Sequence, residues 1–226
     1  MPASINHRDL EKRARLSLGV SSAAIYSMVA QALERHGADG GLLIDMGCGA
    51  GNLWPFVRSR FGRYIGIDVV RFVGFPANAE FHRVDLETGK VPLPEDGADV
   101  VAAVETIEHL ENPRAFMREL VRLSKPGGWV TVTTPNVLSV LSLLSLAVKP
   151  WFGAFQDVHY PAHRTALLEV DLRRIAAEAE LTDVEIAYSH EGRIPLTPWH
   201  YPKFLARLLP RAFSDNLLLI GRKPGG

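Results

Sequence analysis

The sequence predicts an α/β fold: one domain built on a doubly wound, mostly parallel sheet of seven strands. Apolar runs of strand length alternate with turn and helix signals through most of the 226 residues. Those runs are continuously apolar rather than alternating, as suits strands covered on both faces. The stretch "LLIDMGCGAGNLWPFV", Leu42 to Val57, crowds glycines directly behind the first such run, where a strand feeds its helix. The length suits one well-buried domain and is short for two.

Taken in order, residues 1–40 predict cap helices. "RDLEKRARL" is charged, and "SSAAIYSMVAQALERHG" puts Ile25, Met28, Val29 and Leu33 on one face, with Gly37 as a stop. Strands follow at "GLLID", "RYIGID", "AEFHRVD", "ADVVAAVE" and "GGWVTVTTP". Before the last of these, Asn112 can cap a helix that starts at Pro113 and buries Phe116, Leu120 and Leu123, after which "KPGG" is expected to turn the chain. The remainder predicts an apolar insertion over 135–164, a helix around "EVDLRRIAAEAEL", a strand "DVEIAY", a second insertion over 192–214 and a final strand "NLLLIG".

Composition narrows the partners. Lys+Arg and Asp+Glu balance at 25 each, so no global field draws the chain to DNA or to an anionic membrane, and such a contact would need a local patch. The first residues lack an apolar signal core, and a single cysteine rules out a disulfide framework, so a cytoplasmic enzyme is expected. The most apolar segment, Val137 to Val148, is about twelve residues where a bilayer span needs roughly twenty.

The glycine loop carries the function. Glycine lets a ligand approach the main chain, but a dinucleotide fingerprint needs a third glycine at position 52, which is Asn52, while Gly51 arrives one residue early. Asp45 ends the first strand and no Lys or Arg accompanies the loop, which suits a cationic ligand better than a pyrophosphate. Asp45 followed by Gly47, Cys48, Gly49 and Gly51 resembles the first motif of the class I S-adenosylmethionine-dependent methyltransferases, and the resemblance runs from Leu42 to the final strand. It implies a Rossmann-like sheet with an antiparallel last strand, a cofactor-binding core over 41–134, and S-adenosylmethionine as cofactor. It also implies Asp68 on the ribose hydroxyls, Asp85 beside Leu86 on the adenine, and Val69 and Val70 packed on the adenosine. Only sixteen residues separate Asp68 from Asp85, so the usual helix between those strands is expected to shrink to a turn. Asp45 could instead cap the loop amides. Cys48 is expected to pack rather than react, and Trp54 to serve as core or pocket wall.

Methyl transfer is an in-line displacement, so positioning supplies much of the acceleration. A hydroxyl acceptor also needs a base, for which His109 in "ETIEH" is the leading candidate, with a helical turn expected to set Glu105 on the same face. His159 and His163 in "QDVHYPAHRT" belong to the stretch that returns over the pocket. The E-x-x-E-H pattern is similar to that of RNA 3'-terminal 2'-O-methyltransferases and some quinone O-methyltransferases that use a metal. A divalent ion on Glu105, Glu108, His109 and His163 is therefore open beside the favoured metal-free reading, in which Glu105 touches the cofactor.

Two segments are expected to shape the acceptor side. "NVLSVLSLLSLAVKPWFGAF" carries Ser139, Ser142 and Ser145 at every third position, a small-residue stripe that implies close packing in a core or homodimer, or a lid. "TPWHYPKFLARLLPRAF" interleaves basic and aromatic residues and could cover the domain's edge or lie at a membrane surface. The expected activity is methylation of a hydroxyl on a small acceptor, lipophilic or glycan-linked; an RNA terminus and a non-catalytic cofactor-binding accessory are the alternatives.

Overall fold

A computed structural model describes residues 11, 14, 19–87 and 90–225. The charged cap helix expected over residues 8–16 lies outside them except for Glu11 and Ala14. The strands are β1 (Gly40–Met46), β2 (Phe61–Asp68), β3 (Glu80–Arg83), β4 (Ala98–Ala103), β5 (Ser124–Pro135), β6 (Thr182–Tyr188) and β7 (Asn216–Arg222). They form one sheet in the order 3-2-1-4-5-7-6. All pairings are parallel until β7, which runs antiparallel to both β5 and β6. The predicted fold class and its antiparallel last strand are therefore observed.

The continuous apolarity of the strands has a direct cause. Alternate residues of one strand point to opposite faces, and here the two faces feed two cores. Leu43, Val100, Ala102, Leu218 and Ile220 pack on one side with helix α1 (Ala23–Arg35) and the four-residue α2 (Trp54–Val57). Ile44, Val101, Ala103, Leu217 and Leu219 pack on the other with α3 (Pro113–Leu123) and α5 (Glu169–Glu178), which follows α4 (Val140–Val148) in the chain. Two helices show the signals that predicted them: Ile25, Met28, Val29 and Leu33 are buried together on α1, and Asn112 caps α3. The Ser22 hydroxyl caps α1 and the Asn112 carboxamide caps α3 by accepting from Ala115 N at 2.9 Å, a contact worth about 1 kcal/mol. Phe116, Leu120 and Leu123 are buried as expected, joined by Met117.

Three local expectations are corrected. "KPGG" does not turn the chain: Lys125–Gly128 lies inside β5, where a register shift opposite Ala98 and Val100 absorbs the glycines as a bulge. β3 is only four residues long and stops at Arg83, so Asp85 sits past the strand in a turn, with its Oδ1 accepting from Glu87 N at 3.0 Å. Glu105 and His109 do not share a helical face. Glu105 has a positive φ of 49°, and only Ile107–His109 form a single 3₁₀ turn. The shortened link between β2 and β3 contains no helix, as expected.

The Ser139, Ser142 and Ser145 stripe packs inward on the chain's own return. Ser139 Oγ accepts from Ser142 N, Ser142 Oγ from Gly153 N, and Ser145 Oγ donates to the Trp151 carbonyl. The leucines of α4 consequently face out: Leu143, Leu144 and Leu146 are exposed. Among the described residues no helix is long and apolar enough to cross a membrane.

Candidate functional site

A cavity of about 440 Å³ opens beyond the carboxyl ends of β1, β2 and β4, where the strand order reverses. Its size is that of an ordinary small-ligand pocket. Asp45, Asp68 and Asp85 line it, and no Lys or Arg does among the described lining residues. The site favours a cationic ligand and offers a pyrophosphate nothing.

The glycine loop is built by its neighbours. Gly47 N and Cys48 N both donate to the Ile67 carbonyl, at 2.7 and 3.1 Å, and Gly49 N donates to Asp68 Oδ2 at 2.9 Å. Gly47 and Gly49 have positive φ, and a Cβ on them would collide with the Thr106 side chain and the Gly19 carbonyl respectively. The glycines thus make room for protein rather than for ligand, and Gly51, pressed against Pro76, does not line the cavity.

Asp45 is almost fully buried. Its Oδ2 accepts from Tyr64 Oη at 2.7 Å, while its Oδ1 has no hydrogen-bond partner among the described residues. Burial pushes its carboxyl up to about 7, with the Tyr64 bond pulling the other way and nearby Asp68 adding to the rise. It does not cap the loop amides, which are already satisfied elsewhere. An orphaned carboxylate oxygen on a cavity without cations fits a positively charged ligand. Asp68 is also raised by burial, against the bonds that Gly49 N and Val70 N donate to it. Val69 lines the cavity beside Asp85 and Leu86, whereas Val70 is buried outside it. Cys48 is buried against the Phe75 side of the loop, and burial drives its thiol far up, so it packs rather than reacts. Trp54 stacks on Tyr64 at 5.0 Å and backs the Asp45 pair.

Past β4 the acids and histidines separate into two groups. Glu105 turns toward β5 and β7: Thr133 Oγ1 donates to its Oε1 at 2.9 Å and Asn216 Nδ2 to its Oε2 at 2.8 Å. Burial and neighbouring Glu108 hold it well above the usual carboxylate range. Glu108, His109 and His163 form the second group, with ligand-capable atoms within 4.8 Å of one another. Glu108 is fully buried, burial raises its pKa, and neither of its carboxyl oxygens has a hydrogen-bond partner among the described residues. A strap after α4 brings His163 there. Arg164 N and Thr165 N donate to the Glu108 carbonyl, and Thr165 Oγ1 to that of Leu110. His109 Nδ1 donates to the Ala162 carbonyl at 2.8 Å. Since a carbonyl only accepts, this sets the tautomer and leaves Nε2 as the basic nitrogen. His163 lies edge-on to His109 at 4.8 Å, and burial pushes it down to about 4, with His109 and His159 adding to the shift. His159 lines the cavity from its exposed rim and stacks on His163 at 5.5 Å.

Of the predicted site residues, Gly51, Val70 and the fully buried Glu108 fall outside the cavity lining, and Glu105 is the one turned away from the metal-capable cluster. Tyr26, Tyr64, Thr133 and Asn216 were missed. Tyr64 could have been found from register: it pairs with Leu43 two residues before Asp45, so both side chains share a face.

Comparison with known proteins agrees with this geometry. A family described as "Methyltransferase domain" matches residues 22–186. A protein of Mycolicibacterium smegmatis named as a probable S-adenosylmethionine-dependent methyltransferase is 34% identical over 183 residues, covering 80% of this chain and 68% of that one. The ubiquinone biosynthesis O-methyltransferase of Pseudomonas fluorescens is 31% identical over 112 residues, 46% of this chain and 48% of its own, so the chain matches about half the length of that relative. A crystal structure of a SAM-dependent methyltransferase from Archaeoglobus fulgidus superposes with a TM-score of 0.62 at 18% identity, over 88% of this chain and 94% of the other. The chain belongs to the S-adenosylmethionine-dependent methyltransferase family.

Proposed function

We propose that this methyltransferase acts on a hydroxyl of a small, uncharged acceptor, with His109 as the base. The observation that carries the reading is the His109–Ala162 hydrogen bond, which commits Nδ1 as donor and leaves Nε2 as the proton-accepting nitrogen of a residue that lines the cavity. When bound, S-adenosylmethionine supplies an electrophilic methyl group with a good leaving group. Asp45 and Asp68 provide the negative charge that a sulfonium-bearing ligand needs, and Glu105, locked between Thr133 and Asn216, forms a fixed wall beside them. The strap that carries Ala162 and His163 covers the acceptor side and limits water. The absence of Lys and Arg among the described lining residues speaks for an uncharged acceptor over an RNA terminus. The names of the ubiquinone biosynthesis relatives support O-methylation.

The test is His109→Ala assayed against phenols and aliphatic alcohols with binding of the methyl donor followed separately by calorimetry. The expected result is a drop of about 10²–10⁴-fold in kcat with donor affinity kept within a few-fold. Unchanged kcat would remove the base. Donor binding with no turnover on any acceptor class would favour the accessory reading.

One observation favours a second reading. Glu108 buries two oxygens without a hydrogen-bond partner among the described residues, one of them 4.0 Å from His109 Nε2, and with His163 they make a donor set that suits a divalent cation, which would polarise the acceptor hydroxyl in place of a base. The two readings compete for His109 Nε2. Chelation followed by Mg²⁺ or Mn²⁺ restoration separates them: activity that survives chelation belongs to the base.

A further inference from the structure

The two insertions rise from the same rim of the sheet as the cavity. One leaves the carboxyl end of β5 and the other the carboxyl end of β6. They are stitched together at their bases, where Val140 N donates to the Ala212 carbonyl and the Asn136 carboxamide to those of Arg211 and Ser214. Their outward surfaces are apolar to a degree unusual for a solvent-facing rim. Leu143, Leu144, Leu146 and Val148 are exposed on α4. On the second insertion a turn between Arg193 and His200 thrusts out Leu196 and Trp199, and the following helix α6 (Lys203–Leu208) exposes Phe204 and Leu208.

Charge on these segments is of one sign. Residues 137–155 and 194–213 contain Lys149, Lys203, Arg207 and Arg211 and no acid at all, in a chain whose charges balance overall. Arg211 is drawn toward Glu169. Lys149, Lys203 and Arg207 are exposed and make no ion pair among the described residues, although ion pairs are frequent elsewhere on the surface. Lys149 instead lies 6.0 Å over the Trp151 ring. Apolar side chains that would enter an acyl boundary, an indole at the interface and unpaired cations at headgroup level are what an anionic bilayer surface recognises. A protein partner would need acids facing the same cations without supplying any reason for the leucines of α4 to spread along the rim.

We propose that this rim docks on the surface of a bilayer rich in anionic phospholipid, setting the mouth of the cavity against the membrane so that an acceptor dissolved in lipid reaches it without crossing water. The docking surface stands apart from the acceptor chemistry, since none of its residues lines the cavity. Val158 and His159, which do line the cavity, follow α4 in the same insertion.

Flotation of the full chain with vesicles tests it, using phosphatidylcholine alone against equimolar phosphatidylcholine and phosphatidylglycerol. The protein is expected to float with the anionic vesicles, to be released by high salt in part, and to stay down with the neutral ones. Lys203→Glu with Arg207→Glu should lower partitioning roughly fivefold for each cation removed. Leu144→Ser with Leu146→Ser, on the other insertion, should abolish salt-resistant binding, while both variants keep the wild-type melting temperature and donor affinity. No flotation, or equal flotation on both vesicles, overturns the proposal. A dimer in light scattering that the leucine variant dissociates, without flotation, overturns it in favour of a self-interface.

Discussion

At the scale of single residues the site is governed by Asp45. Buried with one oxygen tied to Tyr64 and the other without a hydrogen-bond partner among the described residues, it is held up to about 7, so in the free protein it is mostly protonated below that pH and mostly ionised above it. A cationic ligand favours the ionised form. Affinity for S-adenosylmethionine should therefore rise by up to about tenfold per pH unit as pH climbs toward 7 and level off above it, with proton release on binding near pH 6. Calorimetry in two buffers of different ionisation enthalpy measures both. Asp45→Asn should flatten the profile at the weak-binding level, and Tyr64→Phe, which removes the bond pulling the pKa down, should move the profile to higher pH. Gly47 makes a second prediction at this scale. An added Cβ would meet Thr106 at a left-handed φ of 78°, so Gly47→Ala should cost about 1–3 kcal/mol in urea melts. If stability is unchanged, the loop is looser than its packing implies.

Among the elements, α4 is the instructive one. Its period-three serines were legible in the sequence, and so was the close packing they imply; their partner was not. Nothing in the sequence said that the chain would fold back at Gly153 and satisfy Ser142 and Ser145 itself, leaving the leucines outside. Apolar residues at helical spacing ordinarily mean a buried stripe, and here hydroxyls took the inner face. The packing is testable: Ser142→Leu should destabilise the fold by about 1–3 kcal/mol through overpacking against the Gly153 return, whereas Leu144→Ser should be close to neutral in the same melts. The reverse order would mean that the leucines are covered in solution. The region after β4 shows the same limit from another side. The E-x-x-E-H string marked the right residues, but a helical period assigned Glu105 to the face of His109. The left-handed φ at Glu105 broke that period and sent its carboxyl to Thr133 and Asn216, one of which lies 111 residues away.

For the molecule as a whole, the sheet, the order of its elements and the glycine loop could be read in advance because they depend on local patterns: continuous apolar strands, capped helices, an acid ahead of three glycines. Glu108 and the strap could be read only in part, because they depend on which loops meet. Asp85 slipped past its strand because β3 was cut to four residues by a link too short for a helix. Those losses all fall where distant segments converge on the rim, which is also where the chemistry is. The order 3-2-1-4-5-7-6 has one further consequence. Among the described residues β6 pairs with no strand but β7, and β7 enters between strands that precede it in the chain. During synthesis the β5 edge and all of β6 must wait unpaired until the seventh strand has cleared the ribosome, so the interval between translating residues 188 and 222 is when the nascent chain is most exposed to edge-to-edge capture by another copy of itself.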